Sequence, residues 1–311
     1  MVKRAMKTTR LALVASVVVM GLVFTLTRSG PLVSSAAAST TLAATSLGVK
    51  KTVLYLDIGA SVSVGVQPTP RDPTGQPTNR GYSNRLVTIE AAKGIALKLT
   101  ELGCPGESIA MMIKGPDPCY VAPDTQLSDA IVFLHTHRAA ETLVTIDLGF
   151  NTLDVCLRGS DIDLACVTPK LALLRQQLRH VLRSLTSAAG QHVVMVGLGH
   201  YNPYLTKSVK EGAAEVFGKN SVAALRRLNE SLLEVYSSFK IRMADVAKAF
   251  HEEDVHVVRI SKKEVTTANV QYECKFTWMC APKPFGPNLH PTDAGYQVIA
   301  QAIAAVLPAN L

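Results

Sequence analysis

The chain has 311 residues, 48% of them hydrophobic and 18% charged, with a formal net charge of +8. Five of its 32 basic residues (Lys3, Arg4, Lys7, Arg10 and Arg28) precede position 39, so most of the charge excess belongs to a short leader and the remainder is near balance. The pairs Arg226-Arg227 and Lys262-Lys263 lack the clustering and interleaved aromatics that phosphate-backbone binding needs, which argues against a nucleic-acid partner.

Residues 1–10 carry basic and no acidic side chains, residues 11–26 are apolar, and Ala36-Ala37-Ala38 offers an A-x-A cleavage site. That is the layout of a secretory signal peptide. The apolar run is long for a signal and near the lower limit of a membrane span. Residues 1–38 therefore read as a signal peptide or an uncleaved N-terminal membrane anchor, and residues 39–50 as a flexible tether. Residues 51–311 read as one domain with a single core. Either way the domain is expected to be secreted or otherwise extracytoplasmic.

From residue 51 onward, strand-like and helix-like stretches alternate. Short runs rich in Val, Ile and Leu at 52–58, 143–148 and 192–198 predict strands buried on both faces of a parallel sheet. Helices are predicted over 84–102, 169–188, 221–239 and 291–307. Thr168 would be the N-cap before Pro169, and Thr292 or Asp293 would begin the last helix. The Pro/Gly-rich stretch 67–81 reads as a surface loop or as the rim of a cleft. Met111-Met112-Ile113 and residues 201–217 could line an apolar pocket or pack in the core. The alternation implies an α/β chain, a three-layer α/β/α sandwich with a central parallel sheet. Sites in such sheets lie beyond the carboxyl ends of the strands.

Four segments carry chemistry in that setting: Gly59-Ala60-Ser61-Val62-Ser63, Gly103-Cys104-Pro105-Gly106-Glu107-Ser108, Gly149-Phe150-Asn151 and Asn288-Leu289-His290-Pro291. Together they hold a nucleophile, oxyanion donors and a general base. Ser63 is read as satisfying local backbone groups. An α/β-hydrolase would place its serine mid-chain in Gly-x-Ser-x-Gly, whereas Ser61 follows the first strand. In the order of these segments the chain resembles the SGNH, or GDSL, hydrolase family from about residue 50 to the end, and the implied fold is flavodoxin-like. Ser61 matches the nucleophile, Gly106 and Asn151 the oxyanion positions, and His290 the base. Two positions depart from the family pattern: Ala60 stands for the aspartate beside the nucleophile, and Pro287 for the triad aspartate.

The resemblance implies a serine esterase or lipase that hydrolyses carboxylic esters through an acyl-enzyme. It would use a Ser61–His290 dyad, with the Pro287 backbone carbonyl supporting His290 and an oxyanion hole from Ser61, Gly106 and Asn151. No cofactor or metal is required, and His135 and His137 are read as surface residues. The substrate would be a small ester, a lipid or an acylated glycan, and the protein a monomer. The alternative is a catalytically silent envelope module that holds a glycan or lipid in the same cleft. Six cysteines in an exported chain indicate disulfides. Local closure, the simplest of many connectivities, pairs Cys104–Cys119, Cys156–Cys166 and Cys274–Cys280.

Overall fold

The computed structural model describes residues 51–157, 162–208, 213–261, 265–309 and 311. The expected leader and tether lie outside these residues. Five strands, β1 (Lys51–Gly59), β2 (Ile95–Glu101), β3 (Thr142–Asp147), β4 (Val193–Leu198) and β5 (Arg242–Ala244), pair in parallel in the order β2-β1-β3-β4-β5. The period-2 pleat of β1 explains why its apolar run has no polar face. Val53 and Tyr55 enter one core cluster, while Leu56 and Ile58 enter the other.

Helices cover both faces. On one, α1 (Tyr82–Ala92) and the C-terminal helix pack Leu86, Tyr296, Ile299 and Ile303 onto β1. On the other, α2 (Ile109–Lys114), α3 (Gln126–Thr136), α4 (Phe150–Asp154), α5 (Leu164–Ala188) and α6 (Ala213–Ser238) bury Leu134, Leu153, Leu174, Leu178, Leu228 and Leu232. Each fully buried side chain of this size contributes about 1.5–3 kcal/mol, so the two apolar layers drive the sandwich. The remaining elements are α7 (Val246–Ala249), the hairpin β6 (Val257–Arg259)–β7 (Val265–Thr267), α8 (Ala268–Phe276), the hairpin β8 (Thr277–Trp278)–β9 (Asn288–Pro291) and α9 (Asp293–Val306). Among the described residues no helix is long and apolar enough to cross a membrane.

Three predicted helices differ. Helix α6 begins at Ala213, ahead of the expected 221–239. The stretch 84–102 is α1 followed by β2: Gly94 takes a φ of +87°, which favours glycine and ends the helix, and Ile95 to Glu101 then pair with Lys51 to Asp57. Helix α5 starts earlier than expected, because Asp163 is its N-cap and accepts the Cys166 N–H at 3.0 Å. Thr168 is thus no cap, and Pro169 sits inside the helix. The last helix begins where predicted, with Thr292 Oγ1 accepting the Gly295 N–H at 3.2 Å. Asp293, with its carboxylate 3.0 Å from both Arg80 and Arg85, is a surface ion-pair partner.

Candidate active site

The strand order reverses direction between β1 and β3, and the loops that leave their carboxyl ends open a crevice. A cavity of about 430 Å³ lies there, lined by Ser61, Gly106, Asn151 and His290 together with Asp147, His200 and Tyr201. All four residues singled out from the sequence therefore share one cavity. Thr74 and Gly75 also line it, which makes the 67–81 loop a rim. Of the suggested apolar wall, Tyr201 and Pro203 reach the cavity, whereas Met112 and Phe217 are buried in the core.

Ser61 sits in a tight turn after β1 in which its carbonyl accepts the Val66 N–H at 3.0 Å. Ser63 Oγ donates to the Ala60 carbonyl at 2.7 Å and is fully buried, the local role expected of it. Gly59 holds a φ of +154°, and a Cβ there would lie 2.5 Å from the Asp147 carbonyl, so the turn cannot form with a larger residue.

The sequence reading missed Asp147. Its carboxylate, at the end of β3, accepts the backbone N–H groups of Ala60 and Ser63, one on each side of Ser61. Burial raises its pKa, and His200, with Nδ1 3.7 Å away, opposes that shift. His200 is itself fixed, its Nε2 3.1 Å from the Leu148 carbonyl and its backbone N–H bonded to Asn229. An acid inside the apolar run Leu143-Val144-Thr145-Ile146-Asp147 was the available signal, since a buried carboxylate needs partners.

Gly106 has a φ of +83°, and a Cβ there would meet nothing within 4 Å, so backbone conformation is what selects glycine. Asn151, on the short helix α4 that Gly149 opens, donates one Nδ2 hydrogen to the Glu107 carbonyl at 3.0 Å. A primary amide carries two such hydrogens, which leaves the second for the cavity.

For His290 the structure corrects the sequence reading. Its Nδ1 lies 2.8 Å from Asn288 Oδ1, which takes the place expected of the Pro287 carbonyl. The same oxygen accepts the His290 N–H at 2.9 Å, an Asx-turn of the kind asparagine favours. Asn288 Nδ2 donates to the carbonyls of Pro73 at 2.9 Å and Thr74 at 3.1 Å. Those two acceptors fix the amide orientation, so Oδ1 faces the ring and Nδ1 must carry the hydrogen. Nε2 is left as the basic nitrogen. Burial lowers the ring pKa to about 4, which keeps it neutral at pH 7. The Tyr201 hydroxyl further anchors this strand by donating to the Leu289 carbonyl at 2.7 Å.

Disulfides join Cys104 to Cys119, Cys156 to Cys166 and Cys274 to Cys280, with Cα separations of 5.9, 5.7 and 5.0 Å. The first brackets the Gly106 loop at its start, and the last closes the turn after α8 that leads to β9.

No family model matches the sequence, and no curated protein does either. Solved structures match in fold. A phospholipase A1 from Streptomyces albidoflavus NA297 superposes with a TM-score of 0.53 at 16% identity, over 82% of this chain and 99% of its own. An extracellular lipase from Streptomyces rimosus superposes with a TM-score of 0.53 at 17% identity, over 82% of this chain and 100% of its own. The chain has the fold of the SGNH/GDSL hydrolases, a parallel five-stranded sheet between helical layers.

Proposed function

We propose that this chain, built on the SGNH/GDSL hydrolase fold, is an exported serine hydrolase that cleaves carboxylic esters through an acyl-enzyme. The observation that carries the reading is the shared cavity of Ser61, Gly106, Asn151 and His290, with Asn288 setting the tautomer of the base. His290 Nε2 takes the Ser61 hydroxyl proton as Oγ attacks the ester carbonyl. The oxyanion is met by the N–H groups of Ser61 and Gly106 and by the Asn151 amide. Collapse of the adduct expels the alcohol, which receives the proton from His290, and a water activated by the same ring releases the acid.

An asparagine in the orienting position can hold the ring but supplies no full charge to the imidazolium, as in the Cys-His-Asn arrangement of papain-like proteases. The reading of a silent binding module drew its support from the missing aspartate, and Asn288 offers an acceptor in its place. Lipid or small esters fit the lipase activity named for the two Streptomyces neighbours. Three disulfides, and the extracellular origin named for one neighbour, favour export.

The test is turnover of short and medium acyl p-nitrophenyl esters by the purified chain. Ser61→Ala and His290→Ala should each abolish most activity, with the double variant little worse than either single one. Near-normal turnover by Ser61→Ala would remove Ser61 from the mechanism.

A further inference from the structure

Gln126, the first residue of α3, is fully buried and touches both halves of the site. Its Oε1 accepts the Gly59 N–H at 2.8 Å, and its Nε2 donates to the Gly59 carbonyl at 2.9 Å. The β1–β2 register ends at Asp57 and Glu101. Beyond it the Gly59 carbonyl accepts the Cys104 N–H at 3.1 Å as well as the Gln126 amide, and the Gly59 N–H is met by Gln126 Oε1. Nε2 also donates to Glu107 Oε2. With two acceptors for its two hydrogens and one donor on its oxygen, Gln126 has its donors fully used.

Glu107 closes the circuit. It follows Gly106 directly, it is 1% exposed, and its own carbonyl accepts the Asn151 amide. The two side chains thus join Gly59, two residues before Ser61, to Glu107 in the loop of Gly106, and the Glu107 backbone carbonyl holds the Asn151 hydrogen that does not face the cavity. For stability alone this is a poor use of a core position, because burying an amide and a carboxyl costs more than burying apolar groups of the same size. Glu107 Oε1 has no hydrogen-bond partner, which adds to that cost. Burial, and secondarily Asp117, pushes the Glu107 carboxyl up to about 8, so it is neutral at pH 7 and glutamine is its close isostere.

We propose that Glu107 and Gln126 are positioning residues that set the distance between the Ser61 turn and the oxyanion donors Gly106 and Asn151. The proposal rests on reading those residues as the catalytic set. Oxyanion donors act only within a narrow distance of the developing charge, and a misplacement of about 1 Å can cost on the order of 10²-fold in rate. The pair therefore acts on kcat, where a purely structural role would show in the melting temperature alone.

Steady-state kinetics on p-nitrophenyl butyrate, paired with thermal melts, separate these outcomes. Glu107→Ala and Gln126→Leu should lower kcat by roughly 10–100-fold with KM within about threefold of wild type. Glu107→Gln, which keeps an oxygen for Gln126, should recover most of the lost kcat. Should Gln126→Leu not fold, the Glu107 pair decides alone. A folded Glu107→Ala with kcat within about twofold of wild type would overturn the inference, and so would a Glu107→Gln as impaired as the alanine variant. Either result, with an active wild type, leaves the esterase reading standing. A wild type without turnover removes both.

Discussion

Asn288 is two residues before His290 and does three jobs with one side chain: it orients the ring, turns the backbone and ties β9 to the 73–74 loop. Replacing it with alanine removes the acceptor that sets the tautomer, the loss behind the roughly 10⁴-fold effect known for a triad carboxylate. Asn288→Ala is expected to lower kcat on the order of 10³-fold, with KM changed little, as read by steady-state kinetics. A kcat equal to wild type would mean that Asn288 only shapes the loop. The ring pKa, lowered to about 4 by burial, gives a second expectation. As the proposed base, the ring is neutral, and so competent, above that value, and activity would be lost as pH falls through it. A profile of kcat/KM should therefore hold from neutral pH to near 5 and fall near 4. An acid limb near 6.5 would show a solvated ring instead. The sequence carried the signal for Asn288, since Asn-x-His is an Asx-turn pattern, but proximity to a vacant aspartate position drew attention to Pro287.

Among the elements, β1, β3 and β4 were legible because buried parallel strands are continuous apolar runs, and α9 because its threonine cap precedes an apolar stripe. Strand β2 was not, because Ile95 to Glu101 lies at the edge, half exposed, and its alternation merges with the preceding helical pattern once Gly94 is overlooked. Asp147, His200 and Gln126 were missed for another reason: each is tied into the site by a contact more than 50 positions away in sequence. The segment after β4 shows how such contacts shape the cavity wall. Glu252 accepts the Asn202 N–H, and Glu273 accepts the Thr206 N–H at 2.6 Å. Burial pushes both carboxyls up to about 8. The folded chain therefore keeps protons that the unfolded chain has released, and the stability this gives is complete below the ordinary carboxyl range and lost as pH rises toward 8. His290, with its lowered pKa, works the other way only below about 6.5. Melting temperature should thus fall between pH 6.5 and 8, and Glu252→Gln with Glu273→Gln should make that slope shallower, with Glu107, also pushed up to about 8, contributing to what remains. A melting temperature that climbs over the same window would contradict the burial of these two acids.

The molecule as a whole sets the proposed nucleophile and oxyanion residues on the sheet but brings the proposed base from outside it. Ser61 and Asn151 follow β1 and β3 directly, so the parallel ladder fixes them. His290 comes from the two-stranded β8–β9 hairpin, and a hairpin alone is marginally stable in water. Covalent closure makes up that difference at the loops, and the Cys104–Cys119 bridge, with a sequence separation of 15, is the longest of the three. A loop of that size stabilises by roughly 3 kcal/mol in the chain-entropy account. For a domain of this size each kcal/mol moves the melting temperature by about 2–4 °C. Joint replacement Cys104→Ser and Cys119→Ser should then lower the melting temperature by roughly 6–12 °C. Because Gly106 follows Cys104 by two residues, kcat should fall as well even at a temperature where the variant is fully folded. Calorimetry and kinetics on the same preparation check both parts: an unchanged melting temperature would deny the bridge its stabilising role, and an unchanged kcat would show that the Gly106 loop keeps its geometry without it.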